Sequence, residues 1–376
     1  MADITRAVIP QEFQDLTSAR MLRAPEPQYF HATLLKGMIG ATKVKSTAER
    51  FGLPLPGRDG SWAGVGADIT AEAFAGLVLN DASGIFEAVE YFDDFDRMGP
   101  DNLRPGHTVR INRPIFTDST YTLASRTIAA GTTISTTGTG VSMGQVDLTL
   151  RKVGGPYLSS AVVPYVAEKF DMSRGIHKAA DLVGMFLQRD CDKAFDKFMI
   201  DLFDAVDSTN GIVRPDGMTA DNDSGAAGSF PMSYQVLAKL KTRMIEQHVM
   251  PFRNGRYALV LAPRQVEQLK TSPDFKQLSS FMRDINPLFT ASYQFTIDGF
   301  DVYQSTTLTT ATNSSSVTIY YGQAFGRQVV GVGCPRPPEA VMNTQDNYGE
   351  SVPLIWLAYI ALTTLDNRFT YRVTTD

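Results

Sequence analysis

The pentapeptide GVSMG at residues 140–144 has the G-x-S-x-G spacing of a serine-hydrolase nucleophile elbow, which would make Ser142 an acyl-transfer nucleophile. That chemistry needs an apolar strand before the serine, to hold it at a sheet end, and a helix after it, whose N-terminus helps form the oxyanion site. Here the serine follows GTTISTTGTG, a run of Gly, Ser and Thr, and an alternating strand pattern comes next. The residues favour a bare, flexible tip over an elbow. A hydrolase built on Ser142 stands as the alternative reading.

Other constellations fail on spacing. DDFDRMGPDN crowds Asp93, Asp94, Asp96 and Asp101, yet a calcium loop counted from Asp94 would place Met98 and Pro105 where oxygen ligands belong. His31, His107, His177 and His248 are scattered, with no second His or Cys at metal-ligand spacing. VVGVGCPR offers Gly331 and Gly333 of a dinucleotide fingerprint, but Pro335, Pro337 and Pro338 forbid the helix that should meet the phosphates. Cys191, on a helical pattern, and Cys334, in what reads as a Pro-rich turn, do not form a disulfide framework. No catalytic, cofactor or metal site is expected.

The elements that would position any of these groups follow from periodicity. The chain has 376 residues, 43% hydrophobic and 20% charged, enough for a large core in two lobes. A formal net charge of -5, with no basic cluster, argues against strong nucleic-acid binding. The N-terminus lacks a signal pattern, and the longest apolar run, VPLIWLAYIAL, is too short to cross a bilayer, so the expectation is a soluble protein with no membrane partner, made in the cytosol.

Residues 1–67 mix short helical patterns with Pro25, Pro27, Pro54, Pro56 and a Gly-rich stretch and read as an extended arm lying on something else, and 70–95 as two short helices broken at NDASG. Residues 107–111 and 146–150 alternate apolar and polar and predict two antiparallel strands. The segment between them, folded back on itself at about 3.3 Å per residue, could reach roughly 50 Å. That exceeds the roughly 21 Å radius of gyration expected of a globule this long. A ribbon tip with nothing to bury must be disordered or lie on a neighbour.

The strongest helical pattern runs over 173–206, with Ser173 as N-cap and Ile176, Val183, Phe186, Phe195, Phe198 and Leu202 among the residues of a core stripe. Asp192, Asp196 and neighbouring charges are assigned to its outer surface. Past a polar loop, Ser233 opens a second helix, RYALVLAP is a buried strand followed by the helix RQVEQLK, and Asp298–Gly299 centres a type I′ hairpin. Further strands follow, giving an α+β chain.

The order of these parts, namely an arm, NLRPGHTVRINRP, a long ribbon, VDLTLRKVGGPYLSSAVVPYVAEKFDMS, a beam-like helix and a lobe containing RYALVLAPRQVEQLK, resembles the major capsid proteins of tailed bacteriophages, with the Hong Kong 97 fold. The resemblance implies an N-terminal arm at 1–67, a peripheral domain at 68–112 and 146–209 with its spine helix at 173–206, and an extended loop at 113–145. It further implies an axial domain at 210–341 and C-terminal strands at 342–376 that return to the peripheral domain. Within the loop it implies contacts to neighbouring subunits through Thr132, Ile134, Thr136, Thr139, Val141 and Met143.

The implied function is a structural subunit, not an enzyme, that forms pentamers and hexamers of an icosahedral shell around double-stranded DNA. Its partners would be itself, a separate scaffolding protein, a portal protein and weakly contacted packaged DNA, with no cofactor. Its place would be the virion capsid, assembled in the host cytoplasm. Some family members cross-link Lys to Asn, but the loop at 113–145 contains no Lys. An encapsulin-like compartment shares the fold and is the other alternative.

Overall fold

In the computed structural model, residues 29–51, 83–95, 104–114, 143–160, 172–206, 211–221, 223, 225–272, 293–342 and 352–376 are described. In chain order the helices are α1 (Phe30–Phe51), α2 (Met172–Asp204), α3 (Tyr234–Glu246) and α4 (Pro263–Thr271). The strands are β1 (Val89–Tyr91), β2 (Thr108–Pro114), β3 (Met143–Ser160), β4 (Ile212–Val213), β5 (Tyr257–Leu261) and β6 (Tyr293–Ile297), then β7 (Phe300–Gln304), β8 (Thr310–Thr312), β9 (Thr318–Phe325), β10 (Val330–Met342), β11 (Val352–Thr364) and β12 (Thr370–Thr375).

The strands form two sheets. One has the order β1-β10-β11-β3-β2, antiparallel except for the short β1–β10 pair. The other runs β4-β12-β9-β5-β7-β6, with β8 added on β9. β5 shows how the second sheet is packed: all five residues are buried, because Ala258 and Val260 face one core and Tyr257, Leu259 and Leu261 face the other. A period of two with both faces covered demands such an unbroken apolar run. Helices α3 and α4 cover the second face through Val236, Leu237, Leu240, Val266 and Leu269. The first face is shared with α1, α2 and the first sheet, including Val332, Trp356 and Ile360.

Helix α2 spans 33 residues, about 50 Å at 1.5 Å rise, and contains no proline. Leu187, Cys191, Phe195, Met199 and Phe203, four apart, are fully buried and keep one face of it on the core. The predicted pairing of the two alternating runs is realised as β2–β3, from Thr108 opposite Thr149 to Pro114 opposite Met143. Asp298 and Gly299, with φ of 47° and 84°, make the β6–β7 turn in the left-handed region that a type I′ hairpin requires.

Several expectations are corrected. Residues 30–51 are helical, not extended arm, and Phe30, Leu34, Leu35 and Ile39 are buried in the chain's own core. Where the second helix of 70–95 was expected, there is a single 3-10 turn, Ile85–Ala88, running into β1. Cys334 and its prolines lie within β10. The ladder shifts register between Gly333 and Arg336 and again between Arg336 and Glu339, and such bulges tolerate residues without an N–H.

Sheet membership also departs from the expected 341 boundary. β10 already belongs to the first sheet from Val330, whereas β12, expected beside it, pairs with β9 and β4 of the second. Phe186, expected in the core stripe, is 60% exposed; it lies one position before Leu187, and the intervening 100° turn carries it off the buried face.

Candidate functional site

The inner face of α2 is where the structure concentrates its polar chemistry, and it is a joint. Asp190 Oδ2 accepts the indole N–H of Trp356 on β11 at 2.7 Å. Asp192 forms an ion pair with Lys36 of α1, the two side chains only 1% and 5% exposed. Asp196 Oδ1 accepts the backbone N–H groups of His31 and Ala32 at 2.9 and 3.1 Å, and its Oδ2 accepts the Thr307 hydroxyl. Asp204 accepts from Gln323 Nε2 of β9 and from Thr309 Oγ1, both at 2.7 Å.

These carboxylates therefore tie α1, β9, β11 and the segment after β7 to one helix. Asp196 acts as a remote cap for α1, because first-turn N–H groups have no partner within their own helix and carry its positive dipole end. Thr364 and Thr370 add hydroxyl bonds to the carbonyls of Leu202 and Phe203 near the C-terminal end of α2. Asp192 and Asp196, assigned by periodicity to the outer surface, lie on the buried face. A burial of this kind is stable only when the charge is paired or hydrogen-bonded, and both are.

The arrangement fixes geometry and contains no assembled nucleophile and base. Ser142 lies outside the described residues, but the next residue, Met143, opens β3 and faces Pro114 across the ladder. A nucleophile elbow would enter a helix at that point. Among the described residues no three His, Cys, Asp or Glu side chains gather as a metal set. No helix among them is long and apolar enough to cross a membrane.

Cys191 and Cys334 are both buried and not joined in a disulfide, and burial pushes the Cys191 thiol up to about 12. Since the thiolate is the reactive form, Cys191 is expected to be inert to a disulfide reagent such as DTNB at about pH 8 in the native chain and to react once guanidinium unfolds it. Rapid native labelling of Cys191, located by peptide mapping, would contradict this environment.

Of the residues expected to contact neighbours, Thr132, Ile134, Thr136, Thr139 and Val141 lie outside the described residues, and Met143 begins β3. The strands that flank the segment expected to form the ribbon are described: Arg110 Nε donates to Asp147 at 2.8 Å and the Thr108 and Thr149 hydroxyls meet at 3.0 Å. Both pairs are exposed cross-strand contacts that set register more than stability. Of the stripe on α2, Phe195 is fully buried, Phe198 and Leu202 are half-buried against the same core, and Ile176 and Val183 lie within the helix span. The residues that sequence reading missed, Lys36, Asp192 and Asp196, sit on two amphipathic helices. The apolar spacing of Phe30, Leu34, Leu35 and Ile39 was the available signal for the first.

No protein-family model matches the chain, and no curated protein does. Solved structures do. A chain from the capsid of Ralstonia phage GP4 aligns at a TM-score of 0.52 and 12% identity, over 77% of this chain and 90% of that one. A chain from the capsid of cyanophage P-SCSP1u aligns at 0.51 and 11% identity, over 85% and 97%. One from the head of Helicobacter pylori bacteriophage KHP40 aligns at 0.50 and 11%, over 78% and 90%. At such identities the likeness concerns the fold: this chain has a mixed α+β fold that resembles those of phage capsid proteins.

Proposed function

We propose that this chain is the major capsid protein of a tailed phage, a non-enzymatic subunit that assembles into an icosahedral shell around double-stranded DNA. The observation that carries the reading is the fold likeness to chains of three phage capsids and heads, each spanning more than three quarters of this chain. In the Hong Kong 97 scheme α2 is the spine helix, the first sheet belongs to the peripheral domain and the second to the axial domain, with 113–145 as the extended loop. Its partners are further copies in pentamers and hexamers, a separate scaffolding protein, a portal protein and the packaged DNA. The subunits are made and assembled in the host cytoplasm and end in the virion.

Two features of the isolated subunit support this reading. Among the described strands β2 is a sheet edge, and the residues that follow it in sequence, 115–142, are Gly-, Ser- and Thr-rich. Unpaired edges are liabilities in a monomer and contact surfaces in an assembly. The exposed Met185 and Phe186 on α2, at 49% and 60%, are apolar surface that a neighbouring copy can cover.

The test is electron microscopy of the purified chain, alone and with its scaffolding partner, where uniform hollow particles are expected. Nucleic acid inside native particles supports a phage shell, and protein cargo would replace that reading with a protein compartment. Deleting residues 131–142 leaves every β2–β3 pair in place. That variant is expected to fold with an unchanged circular dichroism spectrum and to lose nearly all particles. Normal assembly of the deletion would refute a role for the ribbon tip.

A further inference from the structure

His31 sits where α1, α2 and the second sheet meet, and none of its surface is exposed. Its ring centroid lies 5.3 Å from that of Phe30 and 5.4 Å from that of Phe203. Neither ring nitrogen has a hydrogen-bond partner, and the buried side-chain oxygen of Gln323 has none either. The Gln323 side chain is close enough to act on the ring, yet its oxygen and the ring nitrogens do not align as a hydrogen bond.

The charged groups that act on the ring are Asp196 and Asp204, both on α2. Asp196 Oδ1 is 3.8 Å from Nδ1 but already accepts two α1 N–H groups, while its Oδ2 holds Thr307. Asp204 is engaged by Gln323 and Thr309. From the second sheet come Gln323, the Tyr303 ring packed on Phe30, and Arg372, which stands opposite Gln323 in the ladder and is paired with Asp221, while Lys36, about one turn further along α1, is paired with Asp192.

We infer that His31 is an acid-sensitive latch: neutral, it seals the first turns of α1 against α2 and the second sheet, and protonated, it releases them. An imidazolium must donate from both nitrogens; Asp196 already holds three donors and Asp204 two, and Gln323 Oε1 is not aligned with the ring, so meeting that demand requires these side chains to move. Charging the ring here means either leaving a buried cation poorly satisfied or drawing Asp196 away from the N-terminus of α1. Opening the joint lets water solvate the ring instead.

Burial holds the His31 pKa below its ordinary value; Asp196, Gln323 and Asp204 pull the other way and do not prevail. The sign follows. A lowered value in the closed state means the released state takes the proton first, so the latch is fully effective above about pH 6.5 and weakens as pH falls below it, until closed His31 itself titrates. Between pH 7.5 and 5 the closed form can lose at most about thirty-fold against the released form.

The latch belongs to the single subunit and can be tested there, without assembly. Hydrogen exchange of the unassembled full chain at pH 7.5 and 5, corrected for intrinsic exchange, should show amides 31–39 losing protection, by up to about thirty-fold, while those of β5 hold theirs. His31→Phe or His31→Leu should abolish that difference. If neither variant folds, NMR titration of labelled histidines in the unsubstituted chain decides, with His31 expected to protonate below pH 6.5. Unchanged protection at pH 5, an equal loss in a variant without His31, or His31 protonating at or above pH 6.5 would each overturn the latch.

Discussion

Asp196→Ala is expected to lower the stability of the unassembled subunit by about 4 kcal/mol, read as a reduced urea midpoint at unchanged slope. Three donors lose their acceptor at once: the N–H groups of His31 and Ala32 and the hydroxyl of Thr307. Asp196 is 1% exposed, so water cannot substitute for the carboxylate. Each orphaned buried donor costs about 1–3 kcal/mol, and the three are coupled, so the sum is not simply additive. Asp196→Asn retains one carbonyl oxygen for α1 and should cost about half as much. Equal effects of Ala and Asn would mean that packing, not capping, is what Asp196 supplies.

Phe195→Ala and Phe186→Ala, nine residues apart on the same helix, should separate folding from assembly. Phe195 is fully buried, edge-on to Trp356 with ring centroids 5.9 Å apart, so its truncation opens a cavity and should cost about 3–5 kcal/mol. Phe186, 60% exposed, should change subunit stability by less than about 0.5 kcal/mol. If a neighbour covers Phe186 in a shell, the more polar Phe186→Ser should reduce particle yield severely while leaving the subunit's thermal midpoint unmoved. A subunit destabilised by Phe186→Ala as much as by Phe195→Ala would contradict the orientation of α2.

The parts of the fold legible in the sequence are those fixed by local chemistry. Alternation exposed β2 and β3, the dipeptide Asp298–Gly299 dictated its own turn, and steps of three and four marked α2 to within two residues at either end. What escaped depends on partners distant in sequence. Asp196 meets His31 across 165 positions, and nothing near Asp196 distinguishes a solvated carboxylate from one that caps another helix. Lys36 and Asp192 were hidden for the same reason: a charge on a helix is surface by default, and only tertiary packing reverses that. Cys334 was misplaced because three prolines within four positions read as a turn, whereas two register shifts let them remain in a strand. Of the candidate contacts at the ribbon tip, the sequence alone speaks, since 115–142 lies outside the described residues.

The path of the last strands has a mechanical consequence. From β9 in one sheet the chain crosses to β10 and β11 in the other, then comes back as β12 beside β9. Two sheets stitched this way cannot swing apart on a single linker, because the chain crosses between them more than once and the core they share, with Val260 and Phe325 from one and Val332 and Trp356 from the other, would have to open. A closed surface tiled by such units would take its curvature from the angles between tiles, with each tile staying stiff.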